Sequence, residues 1–424
     1  MSRTIIHLDL DAFFCAVEEN KNPTLRGRAF AVGGRPEQRG VVASCSYAAR
    51  KFGIRSAMPM ARALRLCPDL LIVPGRHKDY SEVSMQIMEV LRALTSLVEQ
   101  ISIDEAFLDV TELDKPGEEL ARALQARINK EFELPCSLGV ATNKLVAKIA
   151  TDFGKAKALA GYPPNAIQVV PPGEEEQFLA PLPANALWGV GPKTAMRLAE
   201  LGIHKIGDIG RWPEEDLVQR FGKNGRDLAY RARGIDDRPV ITSHAVKSVS
   251  QERTFAKDIL QEEQLLETLA KLSARVSDQL QKKNLAGTTI KLKLRWSDFS
   301  TVTRQETIDA STNEAGVIYA VAKRLFEGLW VAGNPVRLLG VGVSGLGKPI
   351  RQLGLWEDRI EKQETNLDPP PTEPLSPEPL SSEQPPTERL SSQRMDRERR
   401  LESALESLRD RFGDQIVHWG EDSD

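Results

Sequence analysis

The spacing of apolar residues changes along the chain, and each change of period marks an element. Residues 4–9, TIIHLD, read as a short buried strand that ends on a carboxylate. Over 11–20, Phe13, Phe14 and Val17 share one face, which suits a short helix. Residues 29–33 and 41–45 are further strand segments, with the glycine-rich GGRPEQRG between them as a turn. From Ser81 to Leu97 the apolar Val83, Ile87, Val90, Leu91 and Leu94 recur at helical spacing. ISIDEAFLDV (101–110) then sets β-forming residues on both sides of a carboxylate pair. A helix at 117–132, a strand at 136–141 and a helix opening in ATNKLVAKIATDFG (141–154) follow. This order predicts a split βαβ arrangement, a small sheet with helices on one face.

Residues 174–235 lack strand signals, and WGVGPKTAMRLAELGI (188–203) reads as two short helical stretches around a glycine hairpin. A polar linker covers 236–246. From 247 to 344 β signals return in KSVSQERTF, in the alternating TTIKLKLRWSDF and in VRLLGVGVSGL, with a helical stretch at 314–329, so a second small α+β domain is expected. Residues 361–392, rich in Pro, Ser and Glu, read as a disordered linker. An amphipathic helix with Leu401, Leu405 and Leu408 on one face is expected at 393–412, within a C-terminal segment 393–424.

Charge refines this division. The net of −3 conceals an asymmetry, because residues 357–424 carry 9 basic against 18 acidic side chains and residues 1–356 carry 48 against 42. A mildly basic body with an acidic tail can meet a polyanion. At 424 residues the chain has room for roughly three domains. No apolar run approaches the ~18 residues of a membrane span, so no membrane partner is expected. Cys15, Cys45, Cys67 and Cys136 are scattered without a CxxC pair, which argues against a disulfide framework or zinc site and suits the cytoplasm.

The sharpest chemical signal is Asp9 at a strand end together with Asp104 and Glu105. Adjacent carboxylates in a strand setting are costly to bury unpaired, and a divalent cation offsets that cost. SCSYAARKFGIRSAMP (44–59) places Tyr47 and Arg50 on one helix face with Lys51 beside them, a phenol and a guanidinium able to grip a triphosphate. Lys148, Lys155 and Lys157 form a third basic group.

LDLDAFFCAVE, SCSYAARKFGIRSAMP, SIDEAFLDV and SLGVATNKLVAKIATDFGK, in this order and spacing, resemble the Y-family DNA polymerases, most closely their DNA polymerase IV branch. The resemblance covers about residues 3–356 and implies an α+β right-hand polymerase. Its palm (1–10 and 77–167) would be ferredoxin-like, with small fingers (11–76) and a helix-hairpin-helix thumb (168–235). A linker (236–246) would lead to an α+β little finger (247–345), and a clamp-binding segment (346–360) would follow. It implies a monomeric, cytoplasmic DNA-directed DNA polymerase, a nucleotidyltransferase that extends primers across damaged templates at low fidelity without proofreading. Its partners would be primer–template DNA and dNTPs, and its cofactor two Mg²⁺ ions. The rivals are a nucleotide cyclase with a similar palm, a DNA- and clamp-binding scaffold and a template-restricted nucleotidyl transferase.

Carried over by residue, the resemblance makes Asp9, Asp104 and Glu105 catalytic metal ligands, with the Leu10 carbonyl completing one site. Asp11 falls beside them and is expected to matter less. Phe14 matches a steric gate against the ribose 2′-hydroxyl, and Phe13 is expected to stack near the nucleotide. Tyr47, Arg50 and Lys155 match the triphosphate-binding set. Here GKAKALAGY replaces the family's usual Lys-Pro-x-Gly turn, so Lys157 remains an alternative to Lys155. Gly189 and Gly191 would offer backbone N–H groups to a DNA phosphate. Lys247, Arg253, Lys291, Lys293 and Arg295 are read as strand residues that bind DNA. Lys291, Lys293 and Arg295 share one sheet face by their alternation, without interleaved acidic partners. QLGLW resembles a bacterial sliding-clamp peptide, anchored by Gln352, Leu353, Leu355 and Trp356 on the clamp's β subunit.

Overall fold

The computed structural model describes residues 2–159 and 161–349. The clamp-like peptide and the C-terminal helix expected from sequence lie outside these residues. In chain order the first half contains β1 (Ile5–Leu10), α1 (Phe13–Lys21), β2 (Phe30–Gly33), β3 (Val42–Cys45), α2 (Tyr47–Arg50), α3 (Met60–Leu66), β4 (Leu71–Val73) and α4 (His77–Leu94). It continues through β5 (Val98–Gln100), β6 (Glu105–Asp109), α5 (Gly117–Phe132), β7 (Cys136–Ala141), α6 (Lys144–Ala156) and β8 (Ile167–Val169). Five helices follow: α7 (Glu175–Leu179), α8 (Pro192–Glu200), α9 (Ile206–Arg211), α10 (Glu214–Phe221) and α11 (Lys223–Ala232). The last part is β9 (Ser248–Ile259), α12 (Glu262–Lys282), β10 (Ala286–Trp296), β11 (Thr301–Thr312), α13 (Ala315–Glu327) and β12 (Val336–Gly347).

The central sheet has the order β5-β6-β1-β7-β8. Both faces of β1 are covered, which corrects the expectation of helices on one face only. Ile6, Leu8 and Leu10 join a core with Ile87 and Leu91 of α4 and Leu120 and Leu124 of α5. Ile5 and Phe107 join a second core with Leu145, Val146 and Ile149 of α6 and with the helices after β8. A strand with almost every side chain buried needs an apolar layer on each side, and α6 supplies the second. The side carrying Ile5 therefore also carries Asp9, by the two-residue period of a strand.

β2, β3 and β4 form a separate small sheet in the order β3-β2-β4, and β9 to β12 another in the order β11-β10-β12-β9. One face of the latter is closed by α12 and α13 through Leu265, Leu269, Leu272, Ile318 and Phe326. The helix at 262–282 and the strand at 301–312 were not among the expected elements. Between α11 and β9, residues 236–246 form no helix or strand but are fixed to the central unit. Asp236 accepts from the Leu145 N–H at the start of α6 (3.0 Å) and from Arg238, and Glu99 accepts from the Ile241 N–H (2.8 Å).

Candidate active site

The site forms where β1 ends. Asp9 is the register partner of Glu105 across the antiparallel β1–β6 pair, and the Leu10 N–H donates to the Asp104 carbonyl (2.9 Å). Three residues separated by some ninety-five positions in sequence thus share one sheet end. Lys155 of α6 reaches over from the covering layer, with Nζ at 2.5 Å from Asp9 Oδ1 and 3.1 Å from Asp11 Oδ1. Lys148, two turns earlier, lies 3.2 Å from both Glu105 oxygens. The Asp104 carboxylate accepts from the Ser102 hydroxyl. Among the described residues, no three Asp, Glu, His or Cys side chains converge closely enough to ligate one ion as they stand.

Electrostatics explain why the carboxylates hold cations. Burial pushes the Asp9 carboxyl up, to about 7, against the pull of Lys155, and Glu105 and Asp104 push it further. Burial alone would lower the Lys155 ammonium, but Asp9 and Asp11 reverse this and raise it. The donors are hard oxygens, and two ammonium groups already sit against them, so the residues present fit divalent cations of the magnesium type. Asp11 differs from its neighbours. It is wholly buried and accepts from the Ser137 hydroxyl (2.9 and 3.0 Å) and the Asn165 N–H (2.9 Å), which ties β1 to the loop before β8. Ala12 turns the chain into α1 with φ 47°, a left-handed conformation unusual for alanine.

The two phenylalanines part company. Phe13 is only 2% exposed and packs in the core with its edge toward Tyr80, so it does not reach a nucleotide as expected. Successive helical residues point about 100° apart, and Phe14 is only partly buried, at the edge of the same core. Phe14 stacks on Tyr80 (centroids 4.4 Å apart, planes within 14°) and meets the His77 ring edge-on. The Tyr80 hydroxyl donates to the buried Glu18, which Arg76 also holds. Tyr80, Glu18 and Arg76 were missed in the sequence because nothing local marks the contact between α1 and α4.

A basic pocket adjoins the carboxylates, lined by Tyr47, Arg50, Lys51, Arg55, Lys155 and Tyr162. The Arg50 guanidinium lies 4.5 Å over the Tyr47 ring, and its Nε is buried with no hydrogen-bond partner. Such an orphan donor in a cluster of cations calls for an anion. Burial, with Asp11 nearby, raises the Tyr47 phenol, which stays a hydrogen-bond donor. Lys157 is turned away over the Phe153 ring at 4.0 Å, so Lys155 is the lysine that faces the site. Arg55, overlooked in sequence, belongs to the same 44–59 segment and donates to the Arg50 carbonyl.

Farther off, Gly189 has φ 100° in the turn before α8, and Gly191 caps that helix. Leu292 and Leu294 are buried under Lys291, Lys293 and Arg295, as alternation predicts. Of the strand placements, that of Lys247 needs correction, whereas Arg253 lies on β9 as expected. Lys247 precedes β9 rather than lying on it. Arg253 has the parity of Val249 and Phe255 and lies over the Phe255 ring beside Glu267 of α12, on the opposite face from Lys291 and Lys293.

Comparison with known proteins identifies the family. The impB/mucB/samB family pattern matches residues 8–152, its helix-hairpin-helix motif 172–203 and its C-terminal domain 246–355. DNA polymerase IV of Desulfatibacillum aliphaticivorans is 39% identical over 418 residues, covering 97% of this chain and 95% of that protein. DNA polymerase IV of Streptococcus mutans is 41% identical over 357 residues, 83% of this chain and 94% of the other. The chain belongs to the Y-family DNA polymerases. Among solved Y-family structures, the chimera Dbh-Dpo4(243-245)-Dbh matches with a TM-score of 0.73 at 28% identity, over 81% of this chain and 99% of the other. An insertion ternary complex of Dbh DNA polymerase matches with a TM-score of 0.58 at 28% identity, over 81% of this chain and 99% of the other. As a Y-family enzyme the protein is a translesion DNA polymerase. It acts on primer–template DNA and dNTPs and depends on divalent metal ions. No helix among the described residues is long and apolar enough to cross a membrane.

Proposed function

We propose that this Y-family polymerase adds dNMPs by two-metal-ion phosphoryl transfer, with Asp9, Asp104, Glu105 and the Leu10 carbonyl as the ligands of two Mg²⁺ ions. The observation that carries this reading is the Asp9–Glu105 pairing at one sheet end, with lysine ammonium groups held against both carboxylates. When bound, the ions would make the primer 3′-hydroxyl a better nucleophile and offset charge on the departing pyrophosphate. The chain's own groups do the rest. Tyr47, Arg50 and Lys155 hold the triphosphate, with Lys51 and Arg55 adding positive charge at its outer end. Lys155 then exchanges its carboxylate partners for phosphate oxygens. Phe14, clamped by Tyr80, closes the space that a ribose 2′-hydroxyl would need.

The same reading divides the chain into palm (1–10 and 77–167), fingers (11–76), thumb (168–235) and little finger (247–345). Backbone N–H groups at Gly189 and Gly191 and the side chains of Lys247, Lys291, Lys293 and Arg295 would steady the duplex without reading its sequence. Gln352, Leu353, Leu355 and Trp356 would dock the enzyme, a cytoplasmic monomer, on a sliding clamp. Primer extension opposite each of the four template bases, with magnesium and after its chelation, tests the core of this account. Extension that follows the template and stops on chelation is the expected result. Addition that ignores the template, or that survives chelation, defeats it.

A further inference from the structure

The open face of the β9–β12 sheet carries a carboxylate among its cations. Lys293, Gly340 and Glu252 form one register row across β10, β12 and β9. Lys293 and Glu252 are two strand spacings apart, about 9–10 Å between backbones. Yet Lys293 Nζ lies 2.9 Å from each Glu252 oxygen. Gly340 makes this possible, since a Cβ there would stand 2.8 Å from Glu252 Cγ, in the path of the ion pair. The next row, Lys291, Gly342 and Ser250, has the same glycine gap but no carboxylate opposite its lysine. Gly340 and Gly342 floor a groove walled by Ser248, Ser250 and Glu252 on one side and Lys291, Lys293 and Thr303 on the other.

A carboxylate and a phosphodiester offer a lysine the same thing, charged acceptor oxygens. We propose that Glu252 is an internal substitute for a DNA phosphate, holding Lys293 until a primer–template backbone enters the groove and thereby weakening the grip of this face on DNA. The inference rests on reading this face as a backbone-binding surface. Lys293 and Glu252 are 33% and 40% exposed, and an exposed pair of this kind is worth little, so a phosphate can displace the carboxylate readily.

The test is equilibrium binding of the full-length protein to a dye-labelled primer–template by fluorescence anisotropy, across about 50 to 200 mM salt. Glu252→Gln is expected to tighten binding about three- to tenfold at the low-salt end, with the gain shrinking as salt screens the competing carboxylate. In a Lys293→Gln background the same change should have no effect. Unchanged or weaker binding by Glu252→Gln overturns the proposal, as does tightening that persists without Lys293, which would mean general repulsion. Glu252→Thr, a strand-favouring replacement, decides the matter if thermal melting shows Glu252→Gln to be misfolded. The paired change Lys291→Gln with Lys293→Gln separates the two levels. If it leaves affinity unaltered, the backbone-binding reading itself fails. If it weakens binding while Glu252→Gln does not tighten it, only the substitute role falls.

Discussion

Asp9 and Phe14 stand five residues apart, and each meets its working partner through a different device. Asp9 is aligned by strand register with Glu105, whereas Phe14 is aligned by ring stacking on Tyr80 from a helix over sixty residues away. In the proposed gate role, the stack gives Phe14 a firm backing against a 2′-hydroxyl. Phe14→Ala should therefore raise ribonucleotide incorporation relative to deoxynucleotide by about tenfold or more, the scale of discrimination a filled apolar pocket supplies. Single-nucleotide incorporation with matched rNTP and dNTP checks it, and unchanged sugar selectivity removes the gate. Phe13 shows what sequence leaves open at this scale. Two adjacent phenylalanines in DLDAFF look alike, and only the packing of α1 against α4 buries Phe13 fully and leaves Phe14 partly exposed on the Tyr80 ring. Lys155 and Lys157 pose the same ambiguity, and the helical offset between them resolves it.

At the scale of elements, α6 organises the site. Its body closes the second core, Lys155 near its end meets Asp9, and its first turn anchors the segment leading to β9. That anchor includes a buried ion pair, Lys144 with Glu99 at 2.7 Å, both less than a tenth exposed. Burial alone would raise the Glu99 carboxyl, but the Lys144 ammonium and the Ile241 N–H outweigh it and hold it below its usual range. Glu99→Gln should cost about 3 kcal/mol at neutral pH, because it strands a buried lysine. Since the folded-state pKa is lowered, the Glu99 contribution is fully present above the ordinary carboxylate range and is lost as pH falls through its folded value. The gap between wild type and variant in urea melts should narrow accordingly in acid; a gap that widens there contradicts the assignment. Most elements were legible from periodicity, including β1, α5 and β7. Helix α12 carries the signal too, with Leu265, Leu269, Leu272, Val276 and Leu280 at helical spacing. Strand β11 carried little signal because it is a polar edge strand, where mostly Thr, Arg and Glu meet solvent. That α6 covers the opposite face from α4 and α5 follows from β1 being buried on both sides, which alternation counts alone do not reveal.

At the scale of the whole molecule, the proposed reading makes the carboxylate centre, the basic pocket and the basic sheet three separate electrostatic devices that act on one primer–template. Recruitment to a replication site is the role proposed above for QLGLW at 352–356. Its deletion should leave distributive primer extension intact and abolish stimulation by the sliding clamp; stimulation that persists would move the docking point elsewhere. The site's chemistry was far more legible in the sequence than its electrostatic surroundings. Carboxylates and cations announce themselves as residue types, but the Glu252–Lys293 bridge depends on a glycine three strands away in the sequence order and only one in space. The most direct check on the account is single-turnover incorporation of a correct dNTP by wild type and Asp104→Ala on the same primer–template, with DNA affinity measured alongside. Loss of a shared metal ligand should slow incorporation by about a thousandfold or more, several kcal/mol of barrier, while DNA is still bound. A variant that incorporates at the wild-type rate would contradict it.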